Sequence, residues 1–291
     1  MILLDFSSIA MSAMFPRIEE FDEDRNLIRH TMINIIRKYN ADYRDDFGET
    51  IVCMDAANSW RREYFAPYKA NRRKNRSNSI HDWDGIFKMI NQVRDDIIQY
   101  SPFKCIWVDT CEADDCIGTI VEKTNGYFKG LKILEPEPIL IVSPDGDFKQ
   151  LQKYPNVKQW SNIQKKWVKS DNPEEELFEK ICKGDTGDGV PNVLSDDEVL
   201  ITEGARQTPV TKKQMTMLKG DQNDWTTQVQ RRFIRNKTLI DLTQTPEAQK
   251  DEIMKQYNGE SFGSIQSWMT YLMKHQMKLH LESLTDFEVR K

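Results

Sequence analysis

The sequence has few of the residues that build zinc or disulfide sites. It contains five cysteines and four histidines in 291 residues, and no two cysteines form a C-x-x-C pair. An odd number of scattered cysteines argues against a disulfide framework and against a zinc finger. Reduced thiols of this kind are typical of proteins in a reducing compartment, so we expect a cytoplasmic location.

Long apolar runs and nucleotide-binding loops are also missing. No stretch approaches the roughly 18 apolar residues that a membrane-spanning helix requires. No G-x-x-x-x-G-K sequence occurs, so ATP-driven work is not indicated. The formal net charge of −5 argues, as an average, against a protein that binds nucleic acid.

The positive charge is nevertheless concentrated in one segment. Between residues 61 and 76 there is a single acid, Glu63, and the basic residues are Arg61, Arg62, Lys69, Arg72, Arg73, Lys74 and Arg76. Such a segment can follow backbone phosphates without reading base sequence, although a solvated helix surface is the plainer interpretation. A second basic run, Arg231, Arg232, Arg235 and Lys237, falls on a predicted helix and either holds duplex or faces solvent.

The order of apolar segments predicts an α/β fold. Short apolar runs at residues 2–4, 51–54, 105–108 and 139–142 predict buried strands, and helical patterns at 25–39, 83–99 and 113–124 lie between them. This alternation favours a mainly parallel central sheet wrapped by helices. After about residue 170 the patterns are helical, at 173–183, 212–218, 224–236, 248–257 and 264–280. We therefore expect an α/β domain at residues 1–170 and a helical C-terminal domain at 171–291.

Acidic residues follow all four predicted strands. They are Asp5, Asp55, Glu112, Asp114, Asp145 and Asp147. Because the carboxyl ends of parallel strands share one edge of a sheet, we expect these acids to lie together. Carboxylate oxygens favour magnesium or manganese over zinc. Without such a cation the acids should repel one another and destabilise the fold.

Each acidic motif has a simpler interpretation when it is taken alone. Asp109-x-x-Glu112 fits a helix capping box, and a lone aspartate after a strand is commonly a turn residue. Asp145-Gly146-Asp147 begins like a calcium loop but lacks its later glycine and closing glutamate. The glycine-rich segment 183–191, which carries Asp185 and Asp188, forms either a cradle for a phosphate or an ion, or a helix C-cap and loop.

Six motifs in one order resemble the 5′ nuclease (flap endonuclease) family, and most of all its members from T-even bacteriophages. The motifs are L-L-D-F-S, V-C-M-D, R-R-x-Y-x-x-x-Y-K-x-N-R, E-A-D-D, S-P-D-G-D-F and K-G-D-x-x-D-x-V. The similarity runs from residue 1 to about residue 241. It implies a PIN-like α/β fold with a helical arch at about 59–79, and a helix-turn-helix-like DNA-binding element in the helical C-terminal part.

The resemblance also implies roles for particular residues. A first metal ion would be surrounded, directly or through water, by Asp5, Asp55, Glu112, Asp114 and Asp145. A second metal ion or its water shell would be served by Asp115, Asp147, Asp185 and Asp188. Lys69 and Arg72 would hold the scissile phosphate and act in catalysis with Asp114 and Asp145, and Tyr68 would stack on a base. The other basic residues of the arch, together with Arg231, Arg232 and Arg235, would contact nucleic acid.

The implied activity is that of a structure-specific 5′ to 3′ exonuclease and flap endonuclease with ribonuclease H activity. It would use two Mg²⁺ ions, with Mn²⁺ as a substitute, and remove RNA primers and adjacent DNA in phage replication, in the cytoplasm of the bacterial host. Its partners would be branched or nicked DNA and RNA–DNA hybrid, and a single-strand-binding protein or a sliding clamp. We expect a monomer.

Three other interpretations stay open at this point. A toxin-type PIN-domain ribonuclease shares the acidic site but is usually shorter and lacks the arch. A phosphatase would use Asp145 and Asp147 as a nucleophile pair, and a DNA-structure binder would keep the fold without catalysis. The sequence also departs from the family pattern at Gly189 and residues 191–197, where an asparagine and a glycine hairpin are usual. Whether this turn binds downstream duplex, or a monovalent ion, is therefore left open.

Overall fold

The fold is built on a six-stranded sheet with helices on both faces, in a computed structural model that describes residues 1–77, 79–128, 131–132 and 135–290. The side chains at 22–23, 73–75, 77, 127–128 and 131–132 lie outside this description. Among the described residues, no helix combines the length and the apolar character needed to cross a membrane.

Five of the six strands run parallel, as the sequence predicts. The strands are β1 Ile2–Asp5, β2 Thr50–Cys53, β3 Lys104–Ile106, β4 Tyr127–Phe128, β5 Leu131–Lys132, β6 Ile139–Val142, β7 Val157–Ser161 and β8 Lys166–Val168. The sheet has the order β3-β2-β1-β6-β7-β8, and only β8 is antiparallel to its neighbour. The short strands β4 and β5 pair separately.

Helices follow the strands in the crossover pattern of an α/β protein. They are α1 Phe6–Met14, α2 Phe21–Phe47, α3 Trp60–Tyr64, α4 Ala70–Ser77, α5 Trp83–Tyr100, α6 Ala113–Asn125, α7 Pro173–Lys183, α8 Lys212–Leu218, α9 Thr227–Ile240, α10 Glu247–Tyr257, α11 Ile265–Lys274 and α12 Lys278–Glu282. The central strands β1, β2 and β6 are buried at every position, so both faces of the sheet are covered there. On β1, Ile2 and Leu4 face one core and Leu3 faces the other.

The sequence missed α1 and the edge hairpin of β7 and β8, predicted α2 too short at 25–39, and misjudged two further helix boundaries. Strand β7 mixes Lys158 and Gln159 with apolar residues, so it lacks the apolar run that marks the central strands. The helix predicted at 264–280 is broken into α11 and α12, because Gln276 has a positive φ of 54°. Thr226 caps α9, which therefore begins later than the predicted residue 224.

The end of the chain returns to the α/β body. Trp268, Tyr271 and Phe287 belong to the same core cluster as Ile2 and Leu4. The Asn40 side chain on α2 donates to the backbone carbonyl of Asp286, at 2.7 Å, and to that of Glu288, at 3.0 Å. The division of the chain at residue 170 stays a prediction.

Removing the Trp268 side chain should destabilise the whole protein. Trp268 is 1% exposed and its ring stacks on Tyr271, with centroids 4.8 Å apart. We expect Trp268→Ala to cost about 3–5 kcal/mol of unfolding free energy in urea denaturation. Met273→Ala, on the same helix but 59% exposed, should change it by less than about 0.5 kcal/mol. Equal losses in both variants would contradict this packing.

Candidate active site

Parallel strands bring the acids to one edge of the sheet. Asp5 is the last residue of β1 and lies in register with Cys53 at the end of β2, two residues before Asp55. The Asp5 carboxylate caps α1 by accepting the Ser8 backbone N–H at 3.0 Å, and it accepts the Ser143 hydroxyl at 2.8 Å. These bonds fix Asp5 at the end of its strand.

The acids line two adjoining pockets. A cleft of about 1240 Å³ is lined by Asp5, Asp55, Glu112 and Asp145 among others. A much smaller pocket is lined by Asp114, Asp147, Asp185 and Asp188. The two sets adjoin, because Asp5 and Asp145 both act electrostatically on Asp114. The structure thus brings together eight of the nine acids that the sequence assigned to metal binding.

Burial makes negative charge costly at this edge. Burial raises the pKa of Asp5 to about 7, and the neighbouring Asp55 carboxylate adds to the rise. Burial also raises the pKa of Asp55, and burial with the Asp145 charge raises the pKa of Asp114 well above its ordinary value. Glu112 is the exception: burial acts against it, but Lys69 and Arg61 lower its pKa to about 2.

Three cations besides Arg61 lie among the acids. The Lys69 ammonium is 2.5 Å from Glu112 and 3.6 Å from Asp188, and the Arg72 guanidinium pairs with Asp188. Lys180, in the last turn of α7, bridges Asp147 and Asp185. The sequence analysis missed Lys180, although its place at the end of a helix just before Asp185 is a signal that could have identified it.

The donors fit a hard divalent cation. Every predicted ligand is a carboxylate, and such oxygens suit magnesium or manganese. Among the described residues no three acidic, histidine or cysteine side chains form a ready-made ligand set. The raised pKa values of Asp5, Asp55 and Asp114 nevertheless show negative charge without enough compensation. A bound divalent cation would supply that compensation.

The glycine-rich turn holds the base of the arch. The Lys69 N–H donates to the Asp188 carbonyl at 2.8 Å, and the Asn71 amide donates to the Thr186 carbonyl at 3.1 Å. Gly189 has a φ of 71°, and a Cβ there would lie 2.6 Å from the Pro67 carbonyl oxygen. Only glycine allows this approach. The turn therefore fixes Lys69 at the start of α4.

Asp115 lines neither pocket, and its service to the second metal or its water shell stays a prediction. Its carboxylate is fully buried and accepts from both terminal nitrogens of Arg61, each at 2.9 Å. It also accepts the Thr245 hydroxyl at 2.9 Å and the Glu112 backbone N–H at 2.9 Å. These four bonds use all the acceptor sites of a carboxylate.

Arg61 is buried within the protein, and its contact with nucleic acid stays a prediction. It is 2% exposed, it pairs with Asp115 and Glu112, and its Nε donates to the Leu239 carbonyl at 2.9 Å. Its neighbour Arg62 does line the large cleft, and it makes no ion pair with a residue that the structure describes. The two successive arginines therefore have different environments.

Tyr68 is buried beside the acids. It is 3% exposed and packs with Phe65 and Val190. Its hydroxyl donates to Glu112 at 2.9 Å and lies 3.1 Å from an Asp188 oxygen. Its stacking on a base stays a prediction.

The C-terminal arginines are tied to the protein itself. Arg232 and Arg235 are 7% and 5% exposed and pair with Asp196 and Asp197. Their contact with duplex stays a prediction. Arg231 is exposed but its guanidinium binds Asp197 through both terminal nitrogens. Its contact with duplex stays a prediction.

The remaining arch residues divide into two groups. Arg72 and Arg76 line the large cleft. The side chains of Arg73 and Lys74 lie outside the described residues, so their predicted contacts with nucleic acid stay predictions.

Replacing Arg61 should destabilise the protein, whereas replacing Arg62 should not. Arg61→Met leaves the buried Asp115 charge without its partner, which costs about 3–5 kcal/mol. We expect Arg62→Met to change the unfolding free energy by less than about 0.5 kcal/mol. Urea denaturation of the two variants measures the difference. The opposite order of stabilities would show that the two arginines have been assigned to the wrong environments.

Neutralising Asp114 should stabilise the metal-free protein at high pH. Because the pKa of folded Asp114 is raised, its charged form destabilises the fold above the unfolded pKa of about 3.9. In EDTA at pH 8 we expect Asp114→Asn to raise the melting temperature, by roughly 2–4 °C for each kcal/mol removed. At pH 4 the gain should vanish. Asp109→Asn, at an exposed acid outside both pockets, is the control. An equal gain at both pH values would rule out a charge effect.

Sequence comparison matches a family model to each part of the chain. The model for the 5′-3′ exonuclease N-terminal resolvase-like domain matches residues 1–181, and the model for the C-terminal part of T4 RNase H matches residues 171–287. The chain is also 34% identical to the ribonuclease H of Enterobacteria phage T4. That alignment covers 98% of this chain and 95% of the relative.

Solved structures share the fold at lower identity. A complex of the bacteriophage T5 flap endonuclease with DNA and metal ions matches with a TM-score of 0.60 and 16% identity, over 94% of this chain and 98% of that one. The T5 5′-exonuclease with bound zinc matches with a TM-score of 0.57 and 17% identity, over 88% and 96%. With a family model over more than half of its length and a relative above 30% identity, the chain belongs to the 5′-3′ exonuclease family of nucleases.

Proposed function

We propose that the protein is a metal-dependent 5′ nuclease that hydrolyses phosphodiester bonds near the 5′ ends of flap, nicked or RNA-primed duplex DNA. In replication it would remove RNA primers and the adjacent DNA. The observation that carries the proposal is the convergence of eight carboxylates at one sheet edge, beside Lys69 and Arg72 at the base of the arch. The relationship to the T4 ribonuclease H supports it.

The acids would hold two Mg²⁺ ions, and Mn²⁺ is expected to substitute. One ion would be held by Asp5, Asp55, Glu112, Asp114 and Asp145, and the other by Asp147, Asp185 and Asp188. Ions bound there lower the pKa of the attacking water and neutralise charge on the phosphate. The acids themselves need not act as nucleophiles.

Lys69 and Arg72 would bind the scissile phosphate. Both are held at the acidic edge, Lys69 by its backbone bond to Asp188 and Arg72 on the first turn of α4. Their positive charges would lie where the transition state gains negative charge. Their present partners, Glu112 and Asp188, belong to the two proposed metal sets. If metal ions bound those carboxylate oxygens, Lys69 and Arg72 would be available to a phosphate.

Arg62 would hold the strand further along the cleft. Its charge is not neutralised by any described residue, and it lines the same cleft as Asp5 and Asp145. A cation in this position binds a backbone phosphate without reading sequence. A single-strand-binding protein or sliding clamp as partner, a monomeric state and the helix-turn-helix-like element stay predictions.

Cleavage of a 5′-labelled flap and of a nicked duplex, with Mg²⁺ and with EDTA, tests the proposal. We expect short 5′ products only with the metal, from strands that begin with either RNA or DNA. Asp145→Asn should lower the rate at least about 10²-fold, because it removes a charge from the reacting centre. Asp109→Asn should cut normally.

Other outcomes would point to other functions. Cleavage of plain single-stranded RNA but not of the flap would favour a PIN-type ribonuclease. Hydrolysis of a small phosphate ester alone would favour a phosphatase. No cleavage with either Mg²⁺ or Mn²⁺ would overturn the proposal in favour of a protein that only binds DNA.

A further inference from the structure

The large cleft continues beyond the acids to a group of aromatic side chains. Phe15, His81, Trp83 and Phe87 line the same cleft as Asp5 and the other acids. The ring centroids of Phe15 and Trp83 are 6.4 Å apart, and those of Trp83 and Phe87 are 5.9 Å apart. Phe15 is 53% exposed. We call Phe15, Trp83 and Phe87 the aromatic platform.

Helices α1 and α5 position this platform. Asp5 caps the N-terminus of α1, and Phe15 follows its last residue. Trp83 and Phe87 lie one turn apart at the start of α5, on the same helix face. Ten residues at a helical rise of about 1.5 Å separate Asp5 from Phe15 by roughly 15 Å. The platform is therefore held at a fixed distance from the acids.

Positive charge accompanies the aromatic rings. The Arg76 guanidinium lies 4.9 Å from the centroid of the Phe87 ring, and Arg62 and Arg94 line the same cleft. Aromatic faces interleaved with arginines are what proteins use to bind unpaired nucleic acid, because every base has a π-face and every nucleotide a phosphate. The cleft thus carries acids at one end and a surface suited to bases and phosphates at the other.

The volume of the cleft leaves room for a few unpaired nucleotides. At about 1240 Å³, it lies slightly above the roughly 300–1,000 Å³ of small-molecule pockets.

We propose that the aromatic platform stacks the unpaired bases of the 5′ strand of the substrate. This rests on the proposed nuclease function. With stacked bases about 3.4 Å apart, a separation of roughly 15 Å places the platform about four nucleotides from the scissile phosphate. The platform takes the place of the base contact that the sequence assigned to Tyr68, which is buried. Its ligand is an unpaired nucleobase, in DNA or in RNA.

Binding in EDTA tests the platform without any cleavage. Fluorescence anisotropy would follow a labelled duplex with a two-nucleotide or an eight-nucleotide 5′ flap, in DNA and in RNA. We expect Phe15→Leu to weaken binding of the long flap about tenfold, since a stacked base is worth roughly 1–3 kcal/mol. Binding of the short flap should not change. Phe15→Tyr keeps the ring and should bind like the original protein.

A base-free position in the flap locates the contact. An abasic site at the fourth flap nucleotide should weaken binding by the original protein about as much as Phe15→Leu does, and Phe15→Leu should then lose nothing further. Phe262→Leu, at an 87% exposed ring that does not line the cleft, is the matched control. Equal weakening of long and short flaps, or none, would overturn the platform. Because Phe15 is half exposed, melting temperatures should match, and Phe87→Leu serves as a second variant if they do not.

The two proposals fail in different ways. If the protein cuts a flap with Mg²⁺ but long-flap binding does not depend on Phe15 or Phe87, the platform is wrong and the nuclease stands. If it cuts nothing but Phe15→Leu loses the length-dependent binding, the nuclease proposal is wrong and the platform stands.

Discussion

Electrostatic repulsion between carboxylates at the carboxyl edge of a parallel sheet is the constraint on which the rest of this structure depends. Parallel pairing forces the strand ends together, and acids follow those ends, so burial raises the pKa of Asp5, Asp55 and Asp114. The chain meets this cost by directing side chains of Lys69 and Lys180 into the acids. These two lysines offset part of the negative charge at the acidic edge.

The arch and the glycine-rich turn are joined by direct contacts. The turn contacts the arch through backbone atoms, at Lys69 and Gly189, and the same residues carry or adjoin side chains of the acidic edge. The Asn71 side chain adds to these contacts, since its amide donates to the Thr186 carbonyl. Together they hold the cation of Lys69 beside the carboxylate of Asp188 on the turn.

Features that depend on local sequence patterns could be predicted from the sequence. The direction in which a particular side chain faces could not. Apolar runs that end in acids are local, so the parallel sheet and its acidic edge could be predicted. Successive residues of a helix point about 100° apart, so Asp114 faces the pocket while Asp115 faces the core. Likewise, no local sequence pattern shows that Arg61 is buried and that Arg62 lines the cleft. The aromatic platform was missed because Phe15 and Trp83 are far apart in the chain and meet only after α2 has folded back.

The last helices complete a hydrophobic core to which the first strand also contributes. All the acids of the site lie before residue 190, yet Trp268 and Phe287 pack in the same cluster as Leu4. These residues complete a core that α1, α2 and α5 already cover in part, through Ile9, Ile28 and Val93. The strand that ends in Asp5 is thus packed partly against the C-terminal helices, although those helices contribute no acid to the site. A chain that lacks them would expose that part of the core.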